Sequence, residues 1–305
     1  MRRLPKVLLL LALAALPAQA AQRVFVASYG SDTNTAASCG FTNPCRSFTS
    51  ALSVVDPGGE VVALDAAGYG VVTIAKSVTI TSNPGFYAGI SASAGNAVTI
   101  ATAAVKVVLR GLSINGVGAA NGIVMSNGMK LSIENCVISN FTTAGVNLSG
   151  DVRVRIVDSL IRDNNNGVQV TGATVDIATT KLTGNNFGGI YAQSNSAGMV
   201  SRISVADSVV ADNNFGILSE STDALGIARV SVIRSSVNNN SNWGLTAQST
   251  AGGTAVLTAS YNLLSTNGFG LFQSGAGAVL ESHGNNSVRQ NGADSGGTIT
   301  PVSSL

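Results

Sequence analysis

One histidine, one tryptophan, three cysteines and six prolines are spread over 305 residues, and only 10% of the chain is charged. A lone histidine, His283, leaves no pair of imidazoles for general acid–base or metal chemistry. It stands in Ser282-His283-Gly284-Asn285-Asn286 with no acidic pair near it and reads as a structural or surface residue. Cys136 lies far from Cys39 and Cys45 in sequence, so the three thiols make a poor metal site. No metal and no cofactor is expected. The longest apolar run, Val7 to Leu16, is about half of the ~20 residues that a membrane-spanning helix needs. A transmembrane anchor is therefore not expected. Nor is there an excess of positive charge. Of 17 basic residues, Arg2, Arg3 and Lys6 fall in the first six positions, leaving 14 against 15 acidic residues, a balance of about −1. A nucleic-acid partner would call for a basic face.

The head of the chain has the layout of an export signal: basic residues, the apolar run, then Pro17 and Ala18-Gln19-Ala20. Cleavage after Ala20 predicts a secreted or otherwise extracytoplasmic protein. In such a compartment the close pair Cys39/Cys45 reads as a short-loop disulfide, and Cys136 as a small buried residue.

What is plentiful is Gly, Asn, Ser, Thr, Val and Ala, arranged as a repeat. A Gly followed by an aliphatic residue recurs at Gly122, Gly145, Gly167, Gly189, Gly216, Gly244 and Gly270, at intervals of 23, 22, 22, 27, 28 and 26 residues. A second column runs through Asn164, Asn185, Asn213, Asn240 and Asn267. Each unit carries a strand with period-two alternation, such as Leu131/Ile133, Val154/Ile156 and Ile203/Val205. Units this short, without helical periodicity, are coils of a β-solenoid. The expected fold is all-β, a single-stranded right-handed parallel β-helix. The Gly is expected to supply unusual turn angles, and the Asn to adopt left-handed angles and bond its own copy one coil away. Helical spacing of Phe48, Ala51, Leu52 and Val55, ahead of Asp56-Pro57-Gly58-Gly59 as a stop, predicts an N-terminal capping helix. The domains expected are an export signal (1–20), an N-terminal strand, disulfide loop and capping helix (21–60), the parallel β-helix (61–290) and a frayed tail (291–305).

With its Tyr29-Gly30-Ser31-Asp32 head, the Pro44 to Ala51 segment and Gly58-Gly59-Glu60-Val61-Val62, the chain resembles secreted bacterial members of the pectin-lyase-like superfamily of right-handed parallel β-helix proteins. The resemblance covers nearly all of the chain after residue 20. That superfamily holds lyases, hydrolases, esterases, epimerases, adhesins and non-enzymes, so the fold transfers no activity by itself. Polygalacturonase-like enzymes would show Asn-Thr-Asp, Asp-Asp, Gly-His-Gly and Arg-Ile-Lys. Pectate-lyase-like enzymes would show an acidic calcium cluster beside an arginine, pectin-esterase-like enzymes two Asp with flanking Gln, and mannuronan-epimerase-like enzymes Asp-Pro-His-Glu. None of these patterns, and no calcium nonapeptide, is in the sequence.

Three sets of residues remain as candidates. Asp158 and Asp207 share one column, and Asp163 and Asp212 another; a separation of two coils, about 9.6 Å, is near the upper end for inverting glycosidases. Asp is also ordinary at β-helix turns. The outward position opening each strand reads Lys130, Arg153, Thr174, Arg202, Arg229, Val256, a positive stripe suited to a polyanionic glycan such as a polyuronate. It also serves as edge protection for an exposed sheet. The residue before the repeat Gly becomes aromatic at Phe215, Trp243 and Phe269, and with Tyr191 and Phe272 these rings form either a sugar platform or a packed ladder. The expectation is a non-catalytic β-helix that binds polysaccharide or serves as a surface or adhesive scaffold. The alternative is a polysaccharide lyase or glycoside hydrolase acting on an acidic polysaccharide through the four Asp, with Arg153, Arg155 or Arg202.

Overall fold

The computed structural model describes residues 21–303; the export signal expected over 1–20 lies outside them. Three parallel sheets, of twelve, ten and ten strands, run side by side along one axis, and each strand pairs with its equivalents one coil away. We call them sheet 1 (from Ala21–Val26 to Ile299–Val302), sheet 2 (from Ala67–Gly68 to Ser287–Val288) and sheet 3 (from Val72–Ile74 to Ala293–Gly296). The chain visits them in the order 1, 2, 3 in each coil, which makes the fold a parallel β-helix.

The alternation in sheet 1 builds the core. Leu131, Ile133, Val154, Ile156, Val175, Ile177, Ile203 and Val205 are all buried and stack in register, coil upon coil. Burying each such side chain contributes about 1.5–3 kcal/mol. A one-residue slip would turn the whole set outward, so the pattern also fixes the register.

Two turn columns differ from expectation in their physical cause. The repeat glycines have no left-handed backbone; instead, a Cβ on Gly216 would sit 2.4 Å from the Gly244 carbonyl oxygen, and one on Gly167 2.5 Å from that of Gly189. Close approach between coils, rather than turn angle, demands glycine there. The Asn column is likewise not left-handed. The positive φ falls on the residue before it, at Asp163, Gly184, Asp212, Asn239 and Thr266. The Asn side chains do form a buried ladder: Nδ2 of Asn185 donates to Oδ1 of Asn213 (2.9 Å), and so on through Asn240 and Asn267.

Helix α1 (Phe48–Val54) covers the N-terminal end. Ser47 caps it, accepting from the Ser50 N–H, and Phe48, Ala51 and Leu52 face the core. As expected, the segment Asp56-Pro57-Gly58-Gly59 follows the end of the helix at Val54. It lies inside the strand Val55–Ala63 as a bulge, with Ala21 opposite Val55 and Arg23 opposite Glu60. The segment expected as a frayed tail instead adds strands Ala293–Gly296 and Ile299–Val302 to sheets 3 and 1. Cys39 and Cys45 are bonded, and Cys136 is free and buried.

The longer coils lengthen the strands on both sides of the turn from sheet 3 to sheet 1, for example Gly188–Ser194 and Val200–Ala206. The two sheets extend there as a thin fin packed through buried Ser194, Ser201, Ser219, Ser221, Ala228 and Ser249. Its hydroxyls donate across the gap, Ser201 to the Gln193 carbonyl (2.6 Å) and Ser249 to that of Gly253 (2.7 Å). Small side chains let the layers meet, and the hydroxyls satisfy backbone oxygens that would otherwise be buried unpaired.

Candidate functional site

The outer face of sheet 1 gathers the cations. The register places Lys106, Lys130, Arg153, Thr174, Arg202, Arg229 and Val256 in one column, one residue per coil. All five cations are exposed, and among the described residues none forms an ion pair. Lys106 extends the stripe by one coil beyond the sequence reading. Strand neighbours are ~4.8 Å apart, and like charges opposite one another weaken a sheet. Their alignment therefore works against the fold unless an anion lies along them. A second outward column, two residues further along each strand, reads Ser132, Arg155, Asp176, Ser204, Ser231, Thr258 and Glu281.

Two clefts lie on this face and share Thr174, Asp176 and Arg202. One, of about 590 Å³, is lined also by Lys130, Arg153 and Arg155; the other, of about 450 Å³, continues over Ser204, Arg229, Ser231, Thr258 and Glu281. They form one trough along the helix axis. Arg202 also borders a hollow of about 480 Å³ beside the Ser196–Val200 loop and Asp151. The fin thus stands at the edge of the trough beside Arg202 and Arg229.

The four Asp stand elsewhere. Asp158 and Asp207 sit at the corner past the end of the sheet 1 strands, with Thr179 between them; Asp163 and Asp212 sit at the next corner, with Gly184 between them. From Arg153 to Asp158 is five residues of chain, roughly 16 Å across the sheet. All four are exposed and hold left-handed turn angles, a conformation Asp tolerates well. Each has a local partner: Asp158 the Thr179 hydroxyl, Asp163 Arg162, Asp207 Arg234, and Asp212 the Asn239 amide. The two-pronged bond from Arg234 (2.8 and 2.9 Å) holds the Asp207 carboxyl below its usual range. A general acid needs the opposite shift. His283 lies on the last full strand of sheet 1, Ala278–His283. Among the described residues no three metal-ligating side chains gather.

The aromatic residues meet on the outer side of sheet 3. Phe187, missed in the sequence, packs edge-on to Phe215 (4.9 Å); Phe215 stacks on Trp243 (4.6 Å), and Trp243 on Phe272 (4.8 Å, 5° between planes), with Phe269 tilted against Phe272. Thr246 and Leu218, on the same outward column as Phe272, are buried. The rings spend their faces on one another, in the packed-ladder arrangement. Tyr191 joins this cluster through Phe187, and its hydroxyl donates to Glu220; burial and that carboxylate push its phenol far up.

Sequence and structure comparisons agree on the architecture. No curated protein sequence matches the chain. The structure is similar to that of pectate lyase Pel9A over 93% of this chain and 78% of the other, with TM-score 0.63 and 12% identity. It is similar to XylC in complex with xylose over 88% and 70%, with TM-score 0.57 and 9% identity. Tailspike protein 2 of the Escherichia coli O157:H7 bacteriophage CAB120 matches over 87% of this chain and 40% of its own length, with TM-score 0.56 and 14% identity. At such identities the likeness is one of fold. The family described as the right handed beta helix region matches residues 88–293, about two thirds of the chain, and the protein belongs to that family.

Proposed function

We propose that the protein is an extracytoplasmic β-helix that binds an acidic polysaccharide along the outer face of sheet 1, without cleaving it. The in-register column Lys106, Lys130, Arg153, Arg202 and Arg229 carries this reading. Rigid strands hold these exposed, unpaired cations in line within one trough, and a linear polyanion relieves their mutual repulsion. Two fold neighbours have a saccharide in their names, pectate and xylose, which is in keeping with a glycan partner. The export signal read from the first twenty residues supports an extracytoplasmic setting. Against cleavage stand the exposure of the four Asp, their local pairing and their distance from the cations.

The test is incubation of residues 21–305 with neutral and acidic polysaccharides, followed by size-exclusion chromatography of polymer and protein together. Co-elution with acidic polymers of unchanged length is expected. Shortened polymer would replace this reading by a lyase or hydrolase, and no co-elution with any polymer would remove the binding reading and leave a scaffold.

A further inference from the structure

The cationic column is not uniform, and its interruption carries information about the ligand. Between Arg153 and Arg202 the column holds uncharged Thr174, and on the same strand the next outward position holds Asp176. Asp176 is exposed, and among the described residues it accepts no hydrogen bond and forms no ion pair, although Arg155 precedes it directly in its own column. The middle of the trough, where the two clefts share Thr174, Asp176 and Arg202, therefore presents a free carboxylate and a hydroxyl between flanking arginines. Arg153 and Arg202 are two coils apart, roughly 9.6 Å. An anionic group seated between them would face Asp176, whereas a hydroxyl or amide N–H there would find an acceptor.

Resting on the acidic-glycan reading above, we infer that the face selects a glycan whose acidic units alternate with uncharged, hydrogen-bond-donating units, and that Asp176 is the specificity-determining residue. The charge repeat of such a chain spans two sugars, matching Arg153 and Arg202 while the neutral sugar lies over Thr174 and Asp176. A homopolyuronate has an acid on every ring and brings one beside Asp176 in every register that uses both arginines. Like charges a few ångströms apart near a wet surface alter affinity by about threefold to tenfold, more at low salt.

The experiment uses two hexasaccharides, one of galacturonate and one of alternating glucuronate and N-acetylglucosamine, titrated into residues 21–305 at low and moderate salt. Asp176→Asn, at an exposed position, and Thr174→Lys, at a half-buried one, are compared with the parent, and melting curves check that both leave the fold intact. The parent is expected to favour the alternating glycan, counted per charge. Asp176→Asn should improve galacturonate binding about threefold to tenfold while leaving the alternating glycan unchanged or weaker, and Thr174→Lys should shift preference the same way. Equal effects of Asp176→Asn on both ligands would overturn the inference while leaving acidic-glycan binding in place. Failure of both hexasaccharides to bind the parent would instead refute the acidic-glycan reading itself.

Discussion

Replacing Asn213 by Ala tests whether the buried amide ladder holds the coils together. Oδ1 of Asn213 accepts from the Asn185 backbone N–H (2.9 Å) and from Asn185 Nδ2 (2.9 Å), while its Nδ2 donates to the Leu182 carbonyl (3.2 Å) and to Asn240 Oδ1 (3.0 Å). Truncation strands two donors of Asn185, which is itself buried. A stranded buried polar group costs about 1–3 kcal/mol, so the loss should be about 2–6 kcal/mol. For a domain of this size that corresponds to a fall in Tm of roughly 5–15 °C. Asn213→Asp should be worse at neutral pH. It places a carboxylate against the Asn240 Oδ1 and the Leu182 carbonyl, so the folded protein favours its protonated form. Its folded pKa is then raised, and stability should recover as pH falls. The assay is thermal and urea unfolding followed by circular dichroism, with exposed Asn186→Ala as control. If Asn213→Ala falls within 0.5 kcal/mol of that control, the ladder is ornamental and the reasoning is wrong.

Three further expectations follow from other parts of the structure. Gly216→Ala should lower Tm sharply because its Cβ would meet the Gly244 carbonyl oxygen at 2.4 Å, whereas Gly284→Ala, with no atom within 4 Å of the added carbon, should be neutral in the same melt. Desolvation works to raise Asp32 and Asp65, but bonds from Ser47 and Arg46 to the first, and from Ser28 and Tyr69 to the second, hold both carboxyls below the ordinary aspartate value of 3.8. Their folded pKa is depressed, so the stability they add to the N-terminal cap is present above that value and lost as pH falls through the folded pKa. Asp32→Asn and Asp65→Asn should flatten the acid limb of a stability–pH curve, and an unchanged limb would contradict the assignment. Burial pushes the Cys136 thiol up to about 11, so it should resist alkylation at pH 8 until the protein is unfolded; rapid labelling of native protein would contradict its placement.

The sequence made the coils legible where two constraints repeat together. Gly and Asn columns in step, with alternating Val and Ile between them, revealed every coil from Gly122 onward. Earlier coils lack the Asn column, so the sheet 2 strands Ala88–Ala92 and Leu112–Gly116 gave no signal. The reason for the glycines was hidden because close approach depends on the neighbouring coil, which lies more than twenty residues away in the chain. Only pairing with the preceding coils shows that Ala293–Gly296 and Ile299–Val302 are strands, since the first is small and polar (Ala-Asp-Ser-Gly) and the second is four residues with a proline inside it. The cation column could be read because period two and register fix the outward position; Lys106 was lost with the irregular early coils. Asp176 drew no notice, since an isolated acid means nothing until strand pairing sets it beside Arg155 and between the coils of Arg153 and Arg202. The aromatic cluster joins Phe187, Trp243 and Phe272 from different columns, a geometry that no single alignment displays.

The decisive measurement is the salt dependence of polygalacturonate binding by residues 21–305 and by the triple variant Arg153→Ala, Arg202→Ala, Arg229→Ala. If the column holds a polyanion, affinity should fall steeply with salt in the parent, and the variant should bind at least tenfold more weakly with a shallower slope. Equal affinity and equal slope in the two proteins would show that the glycan lies elsewhere and would contradict the account.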